Sequence, residues 1–309
     1  MYIRRKLSSA AINSYVAARQ TLEISYTSSA KPVFIFGCGR SGNTLLRSIL
    51  VATGEIAIPP ESYVLPKLIF RYSFSKNLCN NDLIKIISIF ESHPDFHTWK
   101  FSKSTFFQYL KRKDKLTLDW VLQCLYSSTE AASLANKFQL WGDKTPLNSL
   151  YASSLVKLYP NMFGIHLVRH PFDVALSYVN AGLMPSLKQA VLYWGLCNER
   201  VLLASRSKNF LTIRYEDLVL KPEDHFQQIS EYLFLNASWT DVQKKRRLVS
   251  NKLGDVNVHA HHKNVLKSIN SESIESWRHK LSTADQKKLR AIIVQRYPKC
   301  ALRFNYDLN

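Results

Sequence analysis

A glycine-rich segment, GCGRSGNT at residues 37–44, directly follows the apolar run VFIF and has the composition of an anion-binding loop. Its glycines let backbone N–H groups converge on an anion, and the N-terminus of a following helix adds partial positive charge. Loops of nucleoside triphosphatases carry a lysine after the second glycine of the pattern, where this chain has Asn43. Arg40 lies inside the loop instead, and Thr44 can donate a hydrogen bond to a phosphate. The segment therefore predicts an anion site without the lysine and Mg²⁺ chemistry of those enzymes.

A second stretch, HLVRHPFDVALSY at residues 166–178, carries another pair of side chains suited to an anion. Arg169 ends an apolar run typical of a buried strand, Pro171 opens a helix, and Ser177 lies on that helix. Ligands of parallel α/β sheets bind beyond the carboxyl ends of the strands. We therefore expect Arg169 and Ser177 to converge on one anionic group at that edge of the sheet.

These two stretches resemble the sulfotransferases that use 3′-phosphoadenosine 5′-phosphosulfate (PAPS). PVFIFGCGRSGNTLLRSIL resembles their 5′-phosphosulfate loop and VRHPFDVALSY their 3′-phosphate segment. The second is the more specific, since a separate 3′-phosphate clamp has no purpose in an enzyme that uses ATP. The resemblance runs from Lys31 to the C-terminus through ESYVLP, WGDKTP, IRYEDLVLKPE and SWRHKLS. Their order and spacing are most similar to the tyrosylprotein sulfotransferases and their bacterial relatives.

The resemblance implies a donor and a reaction. PAPS would give its sulfuryl group to an acceptor hydroxyl, and 3′-phosphoadenosine 5′-phosphate (PAP) would remain as product. By analogy with phosphoryl transfer, the protein would position the groups for an in-line displacement and stabilise charge. The terminal sulfate carries less charge than a γ-phosphate, so we expect no metal ion and no supporting lysine in the loop.

The resemblance also assigns roles to individual residues. Glu61 matches the family's proposed general base, and Lys144 matches a lysine beside the bridging oxygen of the scissile bond, with Arg40 assisting. A helix N-terminal carboxylate and a solvated loop lysine are the structural alternatives for the first two. The donor would be held by two groups of residues: Arg40, Ser41, Gly42, Asn43, Thr44 and Leu45 at the 5′-phosphosulfate, and Arg169, Ser177, Tyr215, Lys267 and Arg278 at the 3′-phosphate and adenosine.

Three positions depart from the family pattern. Asn43 stands where the family usually has threonine, and Tyr63 stands where the tyrosylprotein enzymes carry an acceptor-side arginine. Ser276 replaces an expected lysine, for which Arg278 is the candidate substitute. The acceptor therefore stays open among saccharide, lipid-linked and small-molecule hydroxyls and peptidyl tyrosine.

Alternating strands and helices must position these residues. Apolar runs predict strands at 33–36, 138–141, 162–168 and 210–214, and helices at 43–52, 147–159, 186–205, 222–233 and 283–296. This alternation predicts a single-domain α/β fold with a P-loop-like parallel sheet flanked by helices. We expect a mostly helical insertion at about 61–135. We assign residues 1–30 to a basic N-terminal arm or helix and 31–309 to a sulfotransferase domain.

The chain is basic, with 42 lysines and arginines against 23 acidic residues and a net charge of +19. The excess lies at the two ends and favours anionic partners, such as an acidic acceptor or the surface of an anionic membrane. KKRR at 244–247 predicts a solvated helix face. No apolar run reaches the length of about 18 residues that a spanning helix needs. Five cysteines without a C-x-x-C spacing indicate a reducing compartment, so we expect a cytoplasmic, membrane-peripheral protein.

Two other functions remain open at this stage. A kinase with a degenerate phosphate loop would need a lysine and a Mg²⁺-binding carboxylate, which the sequence does not place. A non-catalytic basic module that binds nucleotides or nucleic acid would suit the charge, but no nucleic-acid-binding motif is present and we expect no nucleic-acid partner. His259, His261 and His262 lack the accompanying ligands of a metal site.

Overall fold

A parallel sheet lies at the centre of the computed structural model, which describes residues 27–135, 140–208, 210–258 and 265–308. The sheet has five strands in the order β2–β3–β1–β4–β5, and every pair is parallel. The strands are β1 (Val33–Phe36), β2 (Ile56–Ala57), β3 (Leu140–Asp143), β4 (Phe163–Val168) and β5 (Leu211–Arg214). Their carboxyl ends therefore share one edge of the sheet.

Helices cover both faces of this sheet. They are α1 (Asn43–Ala52), α2 (Leu65–Tyr72), α3 (Asn80–Glu91), α4 (Lys103–Leu110), α5 (Leu118–Ser127), α6 (Glu130–Ser133), α7 (Ala152–Leu158), α8 (Pro171–Asn180), α9 (Leu187–Ala204), α10 (Tyr215–Leu220), α11 (Pro222–Leu233), α12 (Trp239–Asn251), α13 (Asp255–Val258), α14 (Trp277–Lys280), α15 (Thr283–Arg296) and α16 (Pro298–Phe304). Short 3₁₀ helices occupy Phe96–Trp99 and Pro146–Tyr151. Within the described residues, none of these helices has the length and apolar character to cross a bilayer.

The central position of β1 in the sheet explains why its sequence is apolar throughout. Phe34 and Phe36 pack into a cluster with the helices of the 61–135 region, whereas Val33 and Ile35 pack into a second cluster with α1, α11 and α12. All four side chains are buried. Side chains alternate between the two faces of a strand, so a central strand covered on both faces has no position for a polar residue.

The predicted α/β fold is confirmed, and β1, α1, α11 and α15 have the predicted bounds. The strand predicted at 138–141 is β3, which begins at Leu140 and ends at Asp143. The helix predicted at 147–159 divides into the 3₁₀ helix and α7. Ser149 of the 3₁₀ helix donates to Gly37 O at 3.0 Å and accepts from Gly37 N at 2.9 Å. This part of the predicted helix thus holds the start of the glycine loop. Most of the predicted arm, residues 1–26, lies outside the described residues.

Candidate active site

A cavity of about 900 Å³ opens at the carboxyl edge of the sheet. Ten of the predicted site residues line it: Arg40, Gly42, Asn43, Thr44, Leu45, Glu61, Arg169, Ser177, Tyr215 and Lys267. Ser41, within the loop, is fully buried, and its hydroxyl has no partner among the described residues. Lys144 does not line the cavity but contacts two residues that do, Thr44 and Glu61. Arg278 lies outside the cavity. The fold thus gathers segments that are far apart in the sequence.

The glycine loop has a shape that only glycine permits at its last turn. Gly42 has φ +92°, and a Cβ there would lie 2.3 Å from Cδ2 of Tyr215. Gly42 is also the N-cap of α1 and offers no side chain, so the first N–H groups of α1 remain available to an anion. Asn43, which replaces the expected threonine, donates from Nδ2 to Cys38 O at 3.1 Å. This amide therefore stabilises the loop itself.

Glu61 and Lys144 form an ion pair at the floor of the cavity. Lys144 Nζ donates to Glu61 Oε1 at 2.5 Å and to Thr44 Oγ1 at 3.3 Å. The Lys144 side chain is fully buried, and that of Glu61 is 15% exposed. The other carboxylate oxygen, Oε2, accepts from the hydroxyl of Tyr63. A carboxylate open to the cavity and a buried ammonium beside the anion loop are the charges that proton abstraction and leaving-group stabilisation require.

Asp143 fixes the end of β3, from which Lys144 projects. Its Oδ2 accepts from the Tyr126 hydroxyl at 2.5 Å, and its Oδ1 accepts from Asn148 Nδ2 at 2.6 Å. The carboxyl is buried, and this burial raises its pKa above the usual value. Asp143 therefore positions Lys144 and does not itself open to the cavity.

Two arginines join the predicted 5′ and 3′ segments. Arg40 Nε donates to Ser177 Oγ at 3.0 Å, and Arg169 Nη1 donates to the carbonyl oxygen of Arg40 at 3.0 Å. The Arg169 guanidinium stacks on Tyr215 at 4.6 Å and donates from Nη2 to Ser273 O at 2.6 Å. Burial, and then the charge of Arg169, lowers the pKa of Arg40. An anion between two such guanidinium groups would relieve their repulsion.

Arg246 of α12 holds the segment 265–276, which covers one side of the cavity. It donates to Val265 O at 2.7 Å and to Lys267 O at 2.6 Å, and the residue is only 7% exposed. The predicted solvated face at 244–247 is thus wrong for this arginine. The signal was present in the sequence, because Arg246 is spaced one and two turns from Val242 and Trp239, which are buried on the same helix.

Arg278 does not line the cavity, because its guanidinium binds two carboxylates outside it. It donates to Asp307 Oδ2 at 2.7 Å and to Glu275 Oε1 at 3.4 Å. Ser276, at the position of the expected lysine, donates to Asp173 Oδ1 at 2.8 Å. Lys280, on the same short helix as Arg278, lines the cavity instead. Sequence analysis missed Lys280, although it lies within the matching stretch SWRHKLS.

Several other residues that line the cavity carry no predicted role. Tyr63 was recognised only as a departure from the family, and its ring stacks on His93 with centroids 5.3 Å apart. The others are Asp95, Leu147, Tyr178 and Tyr193. Tyr178 and Tyr193 lie on helices, where aromatic residues resemble core positions in a sequence, so nothing there separated these two from the core. Among the described residues, no cluster of three or more metal-ligating side chains occurs; His259, His261 and His262 lie outside them.

A sequence model of the sulfotransferase family matches residues 32–241. The chain belongs to the sulfotransferase family. The matched span contains both anion motifs, Glu61 and Lys144, so the family predicted from the two motifs is confirmed. The last part of this sulfotransferase-family chain, including Arg246 and Lys267, lies beyond the match.

Two curated relatives and one solved structure show how far the likeness extends. Protein-tyrosine sulfotransferase A of Caenorhabditis elegans is 23% identical over 269 residues, with 82% of this chain and 62% of the relative covered. The nodulation protein NoeE of Sinorhizobium fredii is 23% identical over 291 residues, with 84% and 63% covered. The chain thus spans under two thirds of both relatives. The sulfotransferase domain of the Synechococcus PCC 7002 olefin synthase shares the fold, with a TM-score of 0.56, 21% identity and coverage of 94% and 99%.

Proposed function

We propose that this sulfotransferase-family protein transfers the sulfuryl group of PAPS to an acceptor hydroxyl. The observation that carries the proposal is the hydrogen bond from Arg40 Nε to Ser177 Oγ. It brings the loop expected to hold the 5′-phosphosulfate against the helix expected to hold the 3′-phosphate. A nucleotide with phosphate groups at both positions uses both segments, whereas ATP uses one. The nematode relative is named a protein-tyrosine sulfotransferase, which agrees with this reaction.

The residues of the cavity fit a doubly phosphorylated nucleotide. The guanidinium groups of Arg40 and Arg169 lie close together, and Arg169 Nε is buried without a partner among the described residues. Such a nitrogen is costly to leave unpaired, and a phosphate oxygen would satisfy it. Tyr215 and Lys267 would border the adenosine and the 3′-phosphate. We propose that these contacts hold PAPS without a metal ion.

The proposed reaction is one displacement at sulfur. The acceptor hydroxyl gives its proton to Glu61 while its oxygen bonds to sulfur. The bond from sulfur to the 5′-phosphate oxygen breaks, and PAP leaves with the electron pair. Lys144 stabilises the negative charge on that oxygen, since its ammonium contacts Thr44 at the loop. Before substrates bind, the ion pair with Glu61 keeps both groups in place.

The proposal also covers the class of acceptor and the cellular location of the protein. Saccharide, lipid-linked, small-molecule and peptidyl tyrosine hydroxyls all fit the chemistry. Lys267 and Lys280 give the cavity positive charge that would favour an acidic acceptor. We assign the reaction to residues 31–309, and the protein to the cytoplasm with peripheral contact to anionic membranes.

Calorimetric titration with PAP in EDTA, beside ATP and 5′-AMP, tests the donor assignment. We expect metal-free binding of PAP that 5′-AMP does not match and that Arg169→Ala weakens at least about tenfold, the equivalent of about 1.4 kcal/mol. Arg206→Ala removes the same charge from an exposed position outside the cavity and is the matched control. No binding of PAP would reject the proposal, and a preference for Mg·ATP in a parallel titration with magnesium would favour a kinase. Acceptors are then screened with PAPS, with Glu61→Gln as the inactive control.

A further inference from the structure

Tyr63 places a phenol hydroxyl on the carboxylate that we propose as the general base. The hydroxyl donates to Glu61 Oε2, while Lys144 holds Oε1. A nucleophile must lie within hydrogen-bond reach of its base. Tyr63 lines the cavity and is 43% exposed, so its hydroxyl already has the position that an acceptor hydroxyl needs.

Tyr126 and Tyr306 also donate to carboxylates, and a comparison with them shows what distinguishes Tyr63. The hydroxyl of Tyr126 donates to Asp143, and that of Tyr306 donates to Glu216. Neither pair lines the cavity. Glu61, the partner of Tyr63, also pairs with Lys144, which in turn contacts Thr44. This carboxylate therefore lies close to the loop that would hold the phosphosulfate.

The backbone of Tyr63 has a conformation that tyrosine rarely adopts. Its φ is +52°, in the left-handed region, which is unfavourable for a residue other than glycine. Stacking on His93, with the rings 11° from parallel, and the bond to Glu61 offset this cost. Strained residues of this kind concentrate at functional sites. The surroundings thus hold the hydroxyl at Glu61 against a local preference for another conformation.

We propose that Tyr63 is an internal acceptor, so that the protein sulfates its own Tyr63 when PAPS is bound; this inference rests on the proposed function. The hydroxyl oxygen of Tyr63 bonds to the sulfur of PAPS, and its proton passes to Glu61. The bond between sulfur and the 5′-phosphate oxygen breaks, and PAP leaves with that electron pair. The product is a sulfate ester on Tyr63, formed once per molecule.

The electrostatics of the site give Glu61 a necessary part in this step. Partial burial, and then the neighbouring carboxylate of Glu61, raise the pKa of the Tyr63 hydroxyl above its usual value. The hydroxyl therefore keeps its proton until a base removes it during bond formation. The ester would carry its negative charge beside Glu61 and Asp95, which would repel it from the base. The modified side chain would thus leave the position that an external acceptor must occupy.

The test uses the full chain, sulfur-labelled PAPS and no added acceptor. We expect one label per molecule, found by peptide mapping on Tyr63 and absent from Tyr126 and Tyr306. Its rate constant should not change with protein concentration, because the transfer is intramolecular. Tyr63→Phe and Glu61→Gln should each reduce the label to background. Titration of both variants with PAP verifies that they are folded.

The possible failures are distinguishable. If PAP binds and an added phenol or sugar accepts sulfate while Tyr63 stays unlabelled, the inference is wrong and the proposed function stands. Label spread over several tyrosines, or undiminished label in Glu61→Gln, would also overturn it, because the transfer would not depend on the geometry at Glu61. If PAP does not bind at all, the proposed function and the inference fail together.

Discussion

Arg246 offers a test of how the cavity wall is held, far from the chemistry. Arg246→Ala removes the two hydrogen bonds that join α12 to the carbonyl oxygens of Val265 and Lys267. Most of the residues from Val265 to Ser273 line the cavity. The substitution should therefore weaken both the fold and the binding of PAP, although Arg246 itself does not line the cavity.

The size of the effect follows from these contacts. A hydrogen bond from a charged donor contributes about 1.5–3 kcal/mol net, so two bonds set a range of about 3–6 kcal/mol. Burial disfavours the charged form of Arg246 and lowers its pKa, which favours the lower end of this range. We therefore expect the free energy of unfolding to fall by about 3 kcal/mol, at the lower end. Release of 265–273 should weaken PAP binding at least about tenfold, which corresponds to about 1.4 kcal/mol.

Urea unfolding and calorimetric titration with PAP measure the two effects. Arg247→Ala is the matched control, because it removes the same charge one residue along α12 from an exposed side chain. It should stay within about 0.5 kcal/mol of the parent, as surface substitutions usually do. If Arg246→Ala matches Arg247→Ala in both measurements, the segment is held by other contacts and the reasoning fails.

Two other predictions concern the loop and the sheet. Gly42→Ala should abolish PAP binding, because its Cβ would lie 2.3 Å from Tyr215; Gly182→Ala, at φ +65° with nothing within 4 Å, should lose only about 1 kcal/mol of stability and keep binding. Retained binding in Gly42→Ala would contradict this account. Burial lowers the pKa of His166 from 6.5 to about 4. The unfolded chain therefore takes up a proton first, so stability should be full above pH 6.5 and fall as the pH drops towards 4. Urea midpoints should show a smaller loss in His166→Gln.

Strong local signals made the fold predictable. VFIF between Pro32 and Gly37 has the apolar composition of a central strand, and helices such as α11 begin at a proline. Strand β2 escaped prediction because it has only two residues, and its strand character comes from pairing with β3. Pairing across the sheet is a tertiary effect that no local pattern carries.

Sequence motifs predicted part of the candidate site. The part that depends on tertiary contacts could not be predicted from the sequence. The two anion motifs predicted two anion-binding segments at the carboxyl edge of the sheet. The fold brings Arg40 of the first against Ser177 of the second because both motifs follow parallel strands, whose carboxyl ends coincide. Lys280 and Arg278 lie within one short stretch, and only the fold shows that Asp307 draws the second away. A local sequence pattern does not distinguish two neighbouring basic residues. Their different orientations could be seen only in the fold, because Arg278 binds Asp307, which is distant in the sequence.

We expect selectivity for the 3′-phosphate because of the way Arg169 is already engaged. Its two terminal nitrogens donate to Arg40 O and Ser273 O, which hold the loop and the cavity wall together. Its Nε is buried and has no partner among the described residues. A 3′-phosphate beside this guanidinium would be attracted by its charge, and a small rotation of the side chain would let Nε donate to it. A nucleotide without that phosphate leaves the nitrogen unpaired, at a cost of about 1–3 kcal/mol. We therefore expect PAP to bind about 5- to 150-fold more tightly than 5′-AMP, and an equal affinity would show that Arg169 only braces the loop.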